Sequence, residues 1–197
     1  MTSIQDVIKK ITPLLGQVYT LPVTSNKGKV GLFLEDLADI PHTSNPLDCT
    51  DGEVKTVPLK KLKDKYVLKE SIAITMLSKN DLQEHDFKSS KCFKKMNRML
   101  IIPYLRDGDT IQFTELILME KGVFGELYDA LETDYNEIRK NYMETGILTS
   151  KTGDLLQNRT KGAGHGSTSR AFYLRPCILA EIQYIRTSLA LASGSLE

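Results

Sequence analysis

The sequence predicts a mixed α/β (α+β) chain, a mixed β-sheet flanked by helices, on three observations. Stretches of helical period alternate with short runs rich in β-branched residues from one end to the other. No segment repeats and no low-complexity linker divides the 197 residues, a length that fits one domain with two lobes about a cleft. A hydrophobic share of 41% beside 26% charged residues is enough for a proper core.

The elements follow in chain order. Ile4, Val7, Ile8, Ile11, Leu14 and Leu15 recur at helical spacing and predict a first amphipathic helix. Ser25-Asn26 is placed to cap a second, whose apolar stripe is Val30, Phe33, Leu34, Leu37 and Ala38. Residues 41–52 are punctuated by Pro, Asn, Ser, Asp and Gly and read as turns. Asp51-Gly52 leads into a strand from Glu53 to Val57, and Tyr66 to Leu77 predicts another. A basic helix over Ser89 to Met96 precedes a buried strand, Met99 to Tyr104. Arg106-Asp107-Gly108-Asp109 turns the chain into a strand over Thr110 to Leu118. Val123, Leu127, Leu131, Tyr135, Ile138 and Tyr142 mark an acidic amphipathic helix. Leu155 to Lys161 reads as extended, the glycine-rich stretch from Gly162 through Gly164 and His165 to Gly166 as a loop. Ala171 to Leu174 reads as a short strand and Cys177 to Leu191 as a closing helix.

Composition excludes several classes. The three cysteines form no C-x-x-C pair and the three histidines are scattered, against a disulfide framework or a zinc site. No apolar run is long enough to span a bilayer and no basic-then-apolar leader opens the chain, so the expectation is a cytoplasmic protein without a membrane partner. The net charge of +1 does not by itself announce nucleic acid. Its distribution says more. Basic residues gather at Lys55, Lys60, Lys61, Lys63 and Lys65, at Lys88, Lys91, Lys94, Lys95 and Arg98, and at Arg159, Lys161, Arg170 and Arg175.

The spacing that carries chemistry is Pro46-Leu47-Asp48, four intervening residues, then Glu53-Val54-Lys55. In a strand, Glu53 and Lys55 project to one side about 7 Å apart. A turn at Asp51-Gly52 that folds Asp48 back brings two carboxylates and an ammonium together. Two hard carboxylates suit Mg²⁺, which polarises a phosphate and acidifies water, and the lysine stabilises the transition state of phosphodiester hydrolysis. The same pattern also fits a surface turn followed by a charged edge strand.

The run Lys27-Gly28-Lys29-Val30-Gly31-Leu32-Phe33-Leu34-Glu35, then Pro46-Leu47-Asp48, then Glu53-Val54-Lys55-Thr56-Val57-Pro58-Leu59, resembles the MutH mismatch-repair nuclease and its Sau-type GATC restriction relatives. The likeness continues through Lys95-Met96-Asn97-Arg98-Met99-Leu100-Ile101-Ile102-Pro103, Arg159-Thr160-Lys161-Gly162-Ala163 and Arg170-Ala171-Phe172-Tyr173-Leu174. It implies a restriction-endonuclease-like fold, with a catalytic lobe over about residues 1–106 and a DNA-reading lobe over about 107–194. By the same resemblance Asp48 and Glu53 hold Mg²⁺, with Mn²⁺ able to substitute, and Lys55 is the catalytic lysine. Glu35 completes the cluster by orienting Lys55 or relaying a proton, and Lys95 reaches the scissile phosphate. One departure stands out: the Asp48–Glu53 connection is shorter than in relatives of this type, which makes Asp51 a rival ligand.

The partner implied is double-stranded DNA containing GATC or a closely related site. Arg159, Lys161 and Gly162 suit major-groove contacts to guanine, with Tyr173 near the adenine amino group and Phe172 in the core. Lys60 and Lys61, with Lys63, suit backbone phosphates. One catalytic set cuts one strand, so a type II restriction enzyme would work as a homodimer on DNA or by successive nicks. The lysine-rich 58–63 segment and the 160–163 block favour restriction. The alternatives are a MutH-like strand-nicking repair enzyme, which needs a mismatch-repair activator, and a non-catalytic module sensing methylated sites.

Overall fold

The computed structural model describes residues 2–24, 26, 28–162 and 168–192. In chain order these form α1 (Ile4–Ile11), β1 (Val18–Thr20), α2 (Lys29–Leu37), β2 (Glu53–Leu62), β3 (Lys65–Leu68), β4 (Ile72–Met76), α3 (Lys79–Glu84) and α4 (Lys91–Met96). There follow β5 (Arg98–Asp107), β6 (Thr110–Phe113), β7 (Ile117–Glu120), α5 (Gly125–Thr145), β8 (Leu156–Thr160), β9 (Arg170–Leu174) and α6 (Ile178–Ala192). The fold is mixed α/β with a mixed sheet and flanking helices, as expected, and consistent with a restriction-endonuclease-like architecture. By internal contacts the chain falls into two compact units, Met1–Glu70 with Lys95–Glu120, and Ser71–Lys94 with Lys121–Glu197.

The first unit is built on a six-stranded sheet, ordered β1-β6-β5-β2-β3 with β7 also paired to β5. Its centre is the parallel pair β2 and β5, in which Glu53 faces Met99 and Lys55 faces Ile101. A parallel pair cannot be closed by a tight turn, and here the connection from β2 back to β5 runs through β3, β4, α3 and α4. Met99, Leu100, Ile101 and Ile102 of β5 are all buried, as befits a strand covered on both faces. Helix α1 starts at a capping box, Ser3 with Asp6, and lays Ile4, Val7 and Ile11 into the same core as Val30, Leu34, Val54 and Leu100.

Pro103 sits inside this central strand and offers no N–H. It falls between the part of β5 that pairs with β7 and the part that pairs with β6. There residues 114–116 oppose only Ile102 and Pro103, and the expected single strand Thr110 to Leu118 breaks into β6 and β7. The expected strand Tyr66 to Leu77 is also two: Lys69-Glu70-Ser71 interrupt the alternation, and β3 pairs with β2 while β4 pairs with β9. The first helix ends at Ile11, and a 3₁₀ turn, Thr12–Leu14, completes the expected span. Asn26 accepts from the Gly28 backbone rather than capping α2, whose N-cap is Gly28 without a side-chain bond; Ser25 lies outside the described residues. Two short elements, β1 and α3, carry too few periodic residues to be anticipated.

The second unit pairs β4, β9 and β8 in one antiparallel sheet. Helix α5 packs Tyr135 against Phe87 and stacks it on Phe172, whose ring is buried as expected. From the same helix, buried Asp134 accepts the backbone N–H groups of Asp154, Leu155 and Leu156 at 2.7–2.9 Å. That arrangement closes on Gly153, which has φ +82° and no room for a side chain: an added Cβ would stand 2.0 Å from the Leu156 carbonyl oxygen.

Candidate active site

The turn before β2 makes the site. Cys49 N–H bonds the Gly52 carbonyl at 3.0 Å, folding the chain back so that Asp48 Oδ2 accepts the Val54 N–H at 3.0 Å. Gly52 permits it, because a Cβ there would lie 2.6 Å from the Arg98 carbonyl and 2.8 Å from Ile4. Asp48 is thereby drawn against the start of β2, where Glu53 and Lys55 lie two residues apart on one face. The Lys55 ammonium bonds Glu53 and stands 3.7 Å from Asp48 Oδ2. One cation therefore joins both carboxylates.

Lys95, in the last turn of α4, holds both oxygens of Glu53 at 2.9 and 2.8 Å. Glu53 is only 2% exposed, so its charge depends on these two ammonium partners. Asp51, the rival ligand, is engaged elsewhere: Arg98 Nη1 donates to it at 2.6 Å and the Ile4 N–H at 2.8 Å. Cys49, beside Asp48, is buried, and burial followed by the charge of Asp48 pushes its thiol up to about 12, leaving it a protonated filler.

Glu35 lies in the last turn of α2. Burial, then the nearby charge of Asp48, raises its carboxyl above the usual range, with His42 and Lys55 opposing the shift. Glu35 and Asp48 line one hollow of about 360 Å³ together with His42, a residue that sequence spacing did not single out. Its Nε2 is 3.4 Å from Glu35 Oε2 and 3.3 Å from Asp36 Oδ1.

Among the candidate DNA-contacting residues, Lys60 and Lys61 lie exposed near the end of β2, just before the turn to β3. Arg159 and Tyr173 belong to the second unit and sit diagonally across β8 and β9, with the guanidinium carbon 5.4 Å from the ring centroid. Lys161 and Gly162 follow β8 and are exposed, with the Lys161 N–H on the Ser169 carbonyl and Gly162 at φ +118°. Gly164, His165 and Gly166 lie outside the described residues. Two members of the third basic set have structural work: Arg170 binds Asn158, and Arg175 binds the Gly153 and Ser150 carbonyls.

A strand-borne Glu-x-Lys with an aspartate folded onto it sets two carboxylates and an ammonium side by side. The family model of the DNA mismatch repair enzyme MutH matches residues 36–141, more than half of the chain, and the chain belongs to that family of DNA endonucleases. The match covers Asp48, Glu53, Lys55, Lys60, Lys61 and Lys95, begins one residue after Glu35 and ends before Arg159. No curated protein sequence matches the chain.

Nucleases of this family use divalent metal ions. Among the described residues, no three or more His, Cys, Asp or Glu side chains gather as a ready metal cage. The donor set at hand is two hard carboxylates, Asp48 and Glu53, joined by one ammonium. Such oxygen donors would suit a hard divalent cation rather than a soft one.

Proposed function

We propose that the chain is a site-specific DNA endonuclease that hydrolyses one phosphodiester bond per catalytic cluster, at GATC or a closely related site, with Mg²⁺ as its natural ion. The observation that carries this reading is the Lys55 ammonium shared by Asp48 and Glu53 on a strand start that the MutH family match covers. Asp48 and Glu53 would hold the ion, which supplies positive charge that polarises the phosphoryl group and makes water more acidic. Lys55 orients the attacking water and stabilises charge on the phosphoryl oxygens as they become pentacovalent. Lys95 brings a second ammonium to the scissile phosphate. Glu35, its carboxyl raised by burial and by Asp48, takes up a proton from the water at its carboxylate.

Arg159, Lys161, Gly162 and Tyr173 read the bases in this proposal. The Arg159–Tyr173 stack supports it, because the ring leaves the guanidinium only a narrow choice of directions. Lys60 and Lys61 hold backbone phosphates on either strand order of attack. Replacing both with alanine is expected to lower the slope of log affinity against log salt by about 2 while leaving site preference intact. Salt titration of a labelled duplex measures it, and an unchanged slope removes those lysines from the interface.

A restriction enzyme acting in the cytoplasm is our preferred setting, favoured by the lysine-rich 58–63 segment and the 160–163 block; it would need a homodimer on DNA or successive nicks. The matched family's name favours instead a nicking repair enzyme, which needs a mismatch-repair activator. Supercoiled plasmid decides among the readings. Wild type with Mg²⁺ is expected to convert GATC-containing plasmid, and to spare plasmid lacking the site. Linear product marks restriction and open circle marks nicking. Lys55→Ala should cleave about 10²–10³-fold more slowly with DNA binding kept. Equal cleavage by Lys55→Ala would refute the mechanism, and binding without cleavage by wild type would leave a DNA-binding module.

A further inference from the structure

We infer that His42 is a positioning residue for Glu35: its imidazole, seated between the carboxylates of Glu35 and Asp36 on the hollow that Glu35 shares with Asp48, sets where the Glu35 carboxylate points. This rests on the hydrolytic reading of the cluster. The approach of His42 to α2 is built by the chain before it. Asp39 takes a left-handed φ of 52° and reverses the chain directly after the helix. Lys10 then pins the reversal, donating to the Ala38 carbonyl and to Asp39 Oδ2, each at 3.0 Å. The Ile40 N–H bonds the carbonyl of Glu35 itself at 2.9 Å, and the Ile40 side chain is buried. Pro41 stiffens the next step. His42 therefore returns over the last turn of α2.

Glu35 needs such a partner. Its side chain is 28% exposed at the end of a helix, where a long carboxylate has several rotamers open to it. The charged groups acting on it are Asp48 and its neighbour Asp36, which repel its charge, and His42 and Lys55, which attract it. Lys55 is already shared by Glu53 and Asp48, so His42 is the side chain left to fix the near side of Glu35. Asp36, the other group facing the imidazole, is 70% exposed and stands 3.3 Å from the same Nε2.

The test has two arms. In single-turnover cleavage of a GATC duplex, His42→Ala is expected to slow the chemical step about tenfold or more with DNA affinity unchanged. His42→Gln, which keeps an N–H donor on a side chain of similar reach, should recover most of the rate. Cleavage by His42→Ala equal to wild type, or a change confined to DNA affinity, overturns the inference. So does a folded His42→Gln no faster than His42→Ala. The second arm needs no cleavage: the ring-proton NMR resonance of His42 is followed in the free protein on Glu35→Gln. A shift supports the contact, and an unmoved resonance overturns it. A wild type that cuts no DNA sinks the nuclease reading instead, and the NMR arm still decides the contact.

Discussion

Glu53→Ala is expected to reduce cleavage by at least about 10³-fold, because it removes one of the two carboxylates proposed to hold the ion and the common partner of both lysines. Lys55 would keep Asp48 at 3.7 Å, but Lys95 would lose both of its contacts to Glu53. Lys95 is only 22% exposed, so its ammonium would be left in a partly dry place without the charge that placed it there. A cost of about 2 kcal/mol in stability follows, below the figure for a fully buried pair because water reaches the amine. Lys95→Met in the Glu53→Ala background should return most of that stability and none of the activity. The measurements are single-turnover cleavage and thermal melting of the three variants. Glu53→Ala activity within about tenfold of wild type would remove Glu53 from the catalytic set, since one electrostatic group is normally worth more than that.

Gly153→Ala carries the largest expected effect on folding. At φ +82° an L-residue is already strained by about 1–2 kcal/mol. The added methyl would also sit 2.0 Å from the Leu156 carbonyl oxygen, which only a backbone shift can relieve. That shift would disturb the three N–H groups that Asp134 accepts over residues 154–156, and the carbonyl of Gly153 that Arg175 binds. The sum is about 4 kcal/mol, or roughly 10 °C in melting temperature for a chain of this size. Gly122→Ala, in the same unit with nothing within 4 Å of the new Cβ, serves as the neutral control. A melting temperature for Gly153→Ala equal to that of the control would show that the loop relaxes freely.

Much of this is legible in the sequence. Helix α5 and strand β5 announce themselves because burial is periodic along the 21-residue helix and unbroken from Met99 to Tyr104 in the strand. Glu53 and Lys55 are legible as a pair because a strand places alternate residues on one face whatever surrounds it. Lys95 is different: its contact with Glu53 spans 42 residues, and only resemblance to the family suggested it. The engagement of Asp51 could not be read, since its partner Arg98 is 47 residues away and seemed one more member of a basic cluster. The carbonyl contacts of Arg170 and Arg175 are equally illegible, as charge counts do not tell a surface cation from a clamp on carbonyls. The role of His42 is not legible in the sequence, because its approach to Glu35 depends on one left-handed residue, Asp39, a conformation that aspartate adopts only now and then.

The placement of two reactive groups on β2 has an evolutionary corollary. Because side chains alternate along a strand, a single-residue insertion between Glu53 and Lys55 would turn one of them to the opposite side of the sheet from the other. Drift in chain length is therefore expected to accumulate upstream, among the exposed residues 43–46, where an extra residue displaces neither group. The ten-residue strand that follows can then stay in step.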